Sequence, residues 1–395
     1  MIDVMRWFAV IAFACTAACG FHPGFGGGGG GGGGSDASTV DGPPDSPADA
    51  AGCRVVEIAA SDSHTCARQN DGTVWCWGYD SRGQTGVDPN AAQTCASGLA
   101  CTETPNQVAM PAATALGLGD QNTCALSGTD VYCWGANGVG EFGDDTMTDS
   151  ITAREITARA GATAIQGGYN VICSVDAGTV SCSGANEFSD IGDGSNDERL
   201  TLYTALTGAS VLGKGYQDTC AIVSGNVMCW GSNDLQEIDN STQTRASPTM
   251  VPGVANAIAL AVGYQHACAL LSDHTLSCWG ADASGQLGDN MTTGSRGPGA
   301  VSLPNVVQVA AMNEHTCALD TSGAMWCWGF QYTGTPTQVT LPAKVSQIAA
   351  GSFHDCALLV DGTVWCWGYD NYGQYGNGTT SNNVVETPVQ ASLCM

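Results

Sequence analysis

Two cysteines nine or ten residues apart recur seven times along this chain, and that periodicity limits the folds open to it. The pairs are Cys66 with Cys76, Cys124 with Cys133, Cys173 with Cys182, Cys220 with Cys229, Cys268 with Cys278, Cys317 with Cys327 and Cys356 with Cys366. Their first members are spaced 58, 49, 47, 48, 49 and 39 residues apart. Each copy holds short alternating or β-branched runs separated by Gly, Asn and Asp, and nothing sustains a helical period. A repeat of about 50 residues with strand and turn signals predicts the blades of a β-propeller. Within a pair the chain turns, as at Asn70-Asp71-Gly72 or Ser127-Gly128-Thr129-Asp130. Folding the first copy about Asp71 sets Cys66 opposite Cys76. Opposed residues of antiparallel strands lie about 4.5–5.5 Å apart at Cα, a span a disulfide can bridge. Seven intrablade disulfides are therefore expected. The rival use of paired cysteines is zinc. Zinc favours Cys-x2-4-Cys knuckles gathered in fours, which copies on separate blades do not readily supply.

Other residues keep the same beat. His64-Thr65-Cys66-Ala67 with Val74-Trp75-Cys76-Trp77-Gly78 returns as His354-Asp355-Cys356-Ala357 with Val364-Trp365-Cys366-Trp367-Gly368. Gly285-Gln286-Leu287-Gly288-Asp289 echoes Gly83-Gln84-Thr85-Gly86, Gly140-Glu141-Phe142-Gly143-Asp144 and Gly373-Gln374-Tyr375-Gly376. Together these segments resemble the regulator of chromosome condensation repeat, over residues 54–393. The resemblance implies an all-β, seven-bladed propeller with four-stranded blades. Three copies depart from the pattern. The third has Ser183 where Trp is expected, the fourth reads Leu235-Gln236-Glu237-Ile238 without the glycines, and the sixth is short after Trp328-Gly329.

Six cysteines stand outside the seven pairs. Cys95 and Cys101 flank Ala96-Ser97-Gly98-Leu99-Ala100 in the enlarged first copy and are expected to staple it. Cys53 and Cys394 sit at the two ends of the repeat region. Pro388 to Cys394 and Cys53 to Ile58 together reproduce the usual connection, as from Pro336 to Ile348. A Cys53–Cys394 disulfide would thus replace a peptide link and leave no loose edge. Cys15 and Cys19 belong to the N-terminal segment. There, Trp7 to Ala18 is a short apolar core ending in Ala17-Ala18-Cys19-Gly20, which resembles a bacterial lipobox. The expected division is a signal peptide over 1–18, a lipidation site at Cys19 with a tether over 19–52, and a propeller over 53–394. The tether holds nine glycines, Gly26 to Gly34, then a stretch rich in Asp, Pro, Ala and Ser. Neither part can bury enough apolar surface to offset its ordering entropy. Twenty cysteines point to an oxidising compartment. The location expected is the cell envelope, as an outer-membrane lipoprotein, or secretion.

The balance of 37 acidic against 11 basic residues gives a net charge of −26 and argues against nucleic acid or an anionic membrane surface. Contact with a membrane is expected through the lipid anchor alone. No Gly-x-Ser-x-Gly elbow or His-Glu-x-x-His helix is present, and no catalytic constellation is visible. The expectation is a monomeric, non-enzymatic binding module with no cofactor and no metal, acting on a protein or glycan. Enzyme inhibition is one specific form of that reading. Family analogy alone offers guanine-nucleotide exchange as an alternative, which the export signal and paired cysteines oppose. A rim-pocket hydrolase or lyase is another alternative.

His64, His266, His315 and His354 each lie two residues before a first cysteine, a slot held elsewhere by Asn122, Val171 and Asp218. They read either as an axial ring of ligands or as repeated packing residues bonded to neighbouring turns, and Val171 favours packing. Strand alternation turns Val74 and Cys76 one way and Trp75 and Trp77 the other. The Trp before Gly reads as inter-blade core. Trp75, Trp326 and Trp365 occupy an irregular slot, filled elsewhere by Tyr132, Ser181, Met228 and Ser277, and are the candidate binding residues. Acidic turns such as Asp193-Gly194-Ser195-Asn196-Asp197 do not match an EF-hand loop and read as solvated.

Overall fold

A computed structural model describes residues 54–292 and 294–393. Seven antiparallel sheets form a ring. Each is built from strands consecutive in the chain and ordered from the axis outward. Blade 1 consists of Val55–Ala60, His64–Gln69, Val74–Tyr79 and Ala100–Val108, with Gln93–Thr94 added at its outer edge. The innermost strands of blades 2 to 7 are Ala115–Leu118, Ala164–Gly167, Ala209–Lys214, Ala257–Val262, Val306–Met312 and Val345–Ala350. The shortened sixth copy still forms four strands, the outermost being only Thr337–Gln338.

All seven expected cysteine pairs face each other across the second and third strands. Cys66 is bonded to Cys76, Cys124 to Cys133, Cys173 to Cys182 and Cys220 to Cys229. Cys268 is bonded to Cys278, Cys317 to Cys327 and Cys356 to Cys366. Their Cα atoms are 4.1–4.2 Å apart, slightly closer than the span expected from strand pairing alone. Cys95 is also bonded to Cys101. Cys15, Cys19, Cys53 and Cys394 lie outside the described residues, as do the signal and the whole of the tether. Val55 and Leu393, close to Cys53 and Cys394 in sequence, share one apolar core between blades 7 and 1.

The two faces of each third strand serve different seams, as alternation requires. Val74 and Cys76 join the core shared with blade 2, while Trp75 and Trp77 pack into the core shared with blade 7. The glycine after the Trp slot has φ between +94° and +119° in all seven blades. A Cβ there would meet a loop carbonyl oxygen at 2.2–2.5 Å, so only glycine fits. Blade 3 keeps this glycine, Gly184, even though its Trp has become Ser183.

Six blades bracket the loop after the third strand with one Asx side chain. Its Oδ1 accepts the amide five residues on, as Thr85 N to Asp80 (2.9 Å), Phe142 N to Asn137 (2.8 Å) and Leu287 N to Asp282 (3.0 Å). In blades 2, 3 and 4 the residue is Asn, and its Nδ2 donates to loop carbonyls of Thr146, Ser195 and Ser241. Asp80 and Asp282 have no such donor, and their Oδ2 atoms are buried without a hydrogen-bond partner. Burial pushes Asp80 up to about 7 and Asp282 up to about 6. Both therefore bind a proton more tightly folded than unfolded, and stability falls as pH rises from about 4 through those values. Asp80→Asn and Asp282→Asn are each expected to add about 1–3 kcal/mol at pH 8. The gain should vanish near pH 4. Denaturant titrations at the two pH values check this, and an equal effect at both would contradict it.

Candidate functional site

The seams between blades repeat one polar device. The carbonyl of the Gln-slot residue accepts the indole Nε1–H of the next blade's Trp. Trp134 donates to Gln84 O (2.9 Å), Trp230 to Asp190 O (2.9 Å), Trp328 to Gln286 O (2.9 Å) and Trp77 to Gln374 O (2.7 Å). Thr123 and Thr316 add their hydroxyls to the same carbonyls, each at 2.9 Å. Those hydroxyls in turn accept from His64 Nε2 (2.8 Å) and His266 Nε2 (2.9 Å) of the preceding blade. His354 reaches Thr65 at 2.7 Å and His315 reaches Asp355 at 3.0 Å. Burial pushes His64 and His266 down to about 3 and His354 to about 4, so these rings are neutral. The four histidines are seam residues, as Val171 in the same slot indicated.

The departures noted in the sequence are repaired in place. At Ser183 the missing indole is replaced by Arg159, only 2% exposed, from the short turn Thr157–Arg159. In blade 6 the shortened loop offers no Gln-slot carbonyl, and Trp367 Nε1 donates instead to the Tyr332 hydroxyl (2.7 Å), which donates to Asp355 (2.7 Å). Among the described residues, two groups could gather around a metal: Cys95, Cys101 and Glu103, and His315, Cys317 and Asp355. In the first, Cys95 and Cys101 are bonded to each other, and in the second Cys317 is bonded to Cys327, so neither group offers a thiolate.

Trp75, Trp326 and Trp365 are not brought together on one surface. Each is half-buried against a different core, between blades 7 and 1, 5 and 6, and 6 and 7 respectively. Trp326 Nε1 donates to Asp320 (2.9 Å) and Trp365 Nε1 to Thr363 (3.0 Å).

A concentrated arrangement stands elsewhere, at one mouth of the axial channel. The innermost strands enclose a cavity of about 220 Å³ with largely aliphatic walls, including Ile58, Leu116, Val309 and Ile348. Leu118, Gly167, Lys214 and Met312 continue from it into a recess edged by Asp62, Asp120, Tyr169 and Tyr216. These four edge residues occupy one slot, two residues before the histidine position, in blades 1 to 4. Blade 5 places Tyr264 there. Tyr169 and Tyr216 stack with centroids 4.3 Å apart, and Tyr216 meets Tyr264 at 4.5 Å. Burial, and then the Asp62 carboxylate, push Asp120 up to about 7. Burial, Tyr169 and Asp120 also raise Tyr216. The signal for this site was present as Gly168-Tyr169, Gly215-Tyr216 and Gly263-Tyr264, but it gains meaning only when the slot is known to ring the axis.

The Regulator of chromosome condensation (RCC1) repeat matches residues 55–84, 257–286, 306–334, 345–374 and 361–395. Prp20p from Saccharomyces cerevisiae, whose structure was described together with its binding to Gsp1p and histones, superposes with a TM-score of 0.70. It is 20% identical, over 80% of this chain and 85% of that one. Human WBSCR16 gives 0.70 at 17% identity, over 81% and 94%. The ectodomain of the Physcomitrella patens receptor kinase CR4 gives 0.50 at 19%, over 80% and 74%. At these identities the likeness establishes the fold alone.

Proposed function

This chain is a propeller of regulator of chromosome condensation repeats, and on that premise we propose that it is a non-catalytic binding module. In this reading it is tethered outside the cytoplasm through a lipid on Cys19 and holds a protein or glycan partner at the channel mouth. The observation that carries the reading is the mouth itself. Five blades contribute one side chain each from the same loop position, and the result is two carboxyls facing an aromatic ladder. Rigid blades presenting variable loop residues are a common basis for recognition. The disulfides favour the extracytoplasmic placement. The partners named for Prp20p belong to a protein only 20% identical to this one and are not carried over.

The test places a photo-crosslinking amino acid at Tyr264, on the mouth, or at Lys344, beside the turn glycine Gly323 between second and third strands. Illumination in cells should give a discrete envelope adduct from Tyr264 and none from Lys344. The intact mass of the recovered protein should begin at Cys19 with acyl mass attached. Equal adducts from both positions would overturn the assigned face. An unprocessed chain crosslinked to cytosolic proteins would overturn the location.

A further inference from the structure

We propose that the seam between blades 4 and 5 binds a calcium ion, held by the Asp218 carboxylate and the Glu237 side chain where other seams place a hydroxyl or a cation of the chain itself. This site is separate from the channel mouth, and the binding-module reading stands or falls without it.

The regular seams define what belongs there. His266 of blade 5 meets the Thr316 hydroxyl of blade 6 at 2.9 Å, and that hydroxyl donates to Gln286 O. Thr123 makes the same link between His64 and Gln84 O. In the seam between blades 4 and 5 both linked residues change. Asp218 takes the histidine slot, and Ala267 takes the threonine slot held by Thr65, Thr123, Thr219 and Thr316 in blades 1, 2, 4 and 6. Trp279 still donates to Glu237 O at 2.6 Å, so the seam keeps its register. What it loses is the hydroxyl between Asp218 and that carbonyl.

The result is a set of acceptors that nothing in the chain answers. Asp218 is 1% exposed, and among the described residues neither of its carboxylate oxygens has a hydrogen-bond partner. Glu237 is equally buried. Its Oε2 accepts Leu235 N at 2.8 Å, but its Oε1 has no partner. Burial, and next the Glu237 carboxylate, hold Asp218 well above the usual carboxylate range. A buried carboxylate is stable only when paired or bound to a metal, and a protonated one still needs an acceptor for its proton. The neighbouring irregular seams are answered from within the chain. Arg159 fills the seam between blades 2 and 3. Between blades 3 and 4, where Val171 stands in the histidine slot, the Lys214 ammonium takes that part and donates to Asp190 at 2.9 Å. Lys214 also reaches Asp218, but only its main-chain carbonyl. Its three donors are used by Asp190, Gly215 O and Asp218 O.

The chemistry of the donors selects the ion. Unlike the groups at Cys95 and His315, this one is made of oxygens alone, which suits a hard cation rather than zinc or copper. Two carboxyls without a counter-charge match a divalent ion. Magnesium keeps several waters in near-octahedral order, which a sealed seam does not favour. Calcium accepts irregular oxygen sets and a carboxylate that binds through both oxygens, as Asp218 offers.

Elemental analysis of the purified full chain is expected to find one equivalent of calcium. The oxidised chain, refolded from guanidinium with EDTA, should melt about 3–5 °C higher once calcium is restored at about a hundredfold excess over its Kd. Magnesium and potassium should not reproduce the shift. Asp218→Asn and Glu237→Gln keep the shape of the seam and should each abolish both the bound equivalent and the shift. Ala267→Thr supplies the hydroxyl of the regular seams and should weaken calcium binding at least about tenfold in a folded chain, which keeps the test decisive if an amide variant does not fold. Asp197→Asn, in an exposed acidic turn, should change neither readout. Absence of calcium and of any shift would overturn the site and leave both carboxyls protonated in the seam. Calcium kept by Asp218→Asn and Ala267→Thr but lost from Asp197→Asn would move the ion to a surface loop and overturn it equally. A shift with potassium and none with calcium would overturn the divalent assignment.

Discussion

Unfolded in guanidinium with excess dithiothreitol and then diluted into reducing buffer, the chain is expected to stay unfolded, whereas the oxidised chain refolds. Each intrablade disulfide closes a loop of nine or ten residues. A crosslink of that span lowers the entropy of the unfolded chain by the equivalent of about 2–3 kcal/mol. Seven of them, even if they are far from additive, are comparable with the roughly 5–15 kcal/mol that separates most folded domains from their unfolded states. The paired sulfurs are also sealed in the blades. Cys133, Cys182, Cys229, Cys278 and Cys327 on the third strands are 0% exposed, and none of the fourteen cysteines exceeds 1%. Reductant without denaturant should therefore free few thiols. Thiol labelling counts them, and tryptophan emission reports the fold, because five indoles are less than 2% exposed. A fully reduced chain that regained native emission would show that the apolar seams suffice and that the sulfur bridges only reinforce them.

The second large effect concerns the one blade without its indole. Arg159 donates to the carbonyls of Phe142 (3.0 Å), Glu141 (3.1 Å) and Ile172 (2.9 Å), and to the hydroxyls of Ser174 (2.9 Å) and Ser183 (2.6 Å). Burial lowers it to about 9, so it is still a cation at neutral pH. Arg159→Ala removes every one of these donors from a sealed seam and is expected to cost about 3–5 kcal/mol. Ser183→Trp alone overfills the seam, because Arg159 already occupies it, and should cost about 1–3 kcal/mol. Combined, the two changes recreate the arrangement of the other blades, with an indole Nε1–H free to donate to Glu141 O. The second substitution should then stabilise the first by at least about 1 kcal/mol, reversing its own sign. Guanidinium midpoints of the four proteins measure this. Simple addition of the two losses would mean that Arg159 does not stand in for the indole.

What could be read from the residues follows from range. The cysteine pairs, the Trp-Gly step and the alternation of Val74, Trp75, Cys76 and Trp77 are local, and local geometry sets which face each occupies. Ring size followed by counting copies. The repair at blade 3 could not be read, since Arg159 lies 24 residues before Ser183 in an irregular connection with no motif of its own. The mouth is not legible in the sequence for a related reason. Asp62, Asp120, Tyr169, Tyr216 and Tyr264 differ in type, and their shared position counts only once five loops are wrapped around one axis. The irregular Trp slot is visible in the sequence because its residue type varies, and the sheet places Trp75, Trp326 and Trp365 against three separate cores.

Among the described residues, no sheet in this ring borrows a strand from the far end of the chain. A blade is one unbroken stretch of gene, and its hydrogen-bonded ladder is complete within that stretch. A duplication or loss of about fifty codons, the length of one such repeat, would thus insert or delete a whole blade without splitting any sheet. Such a change moves the neighbours around the axis and alters which loop residues meet at the mouth. Heredity could in that way reshape the recognition surface by changing the number of sectors, with the interior of each sector untouched.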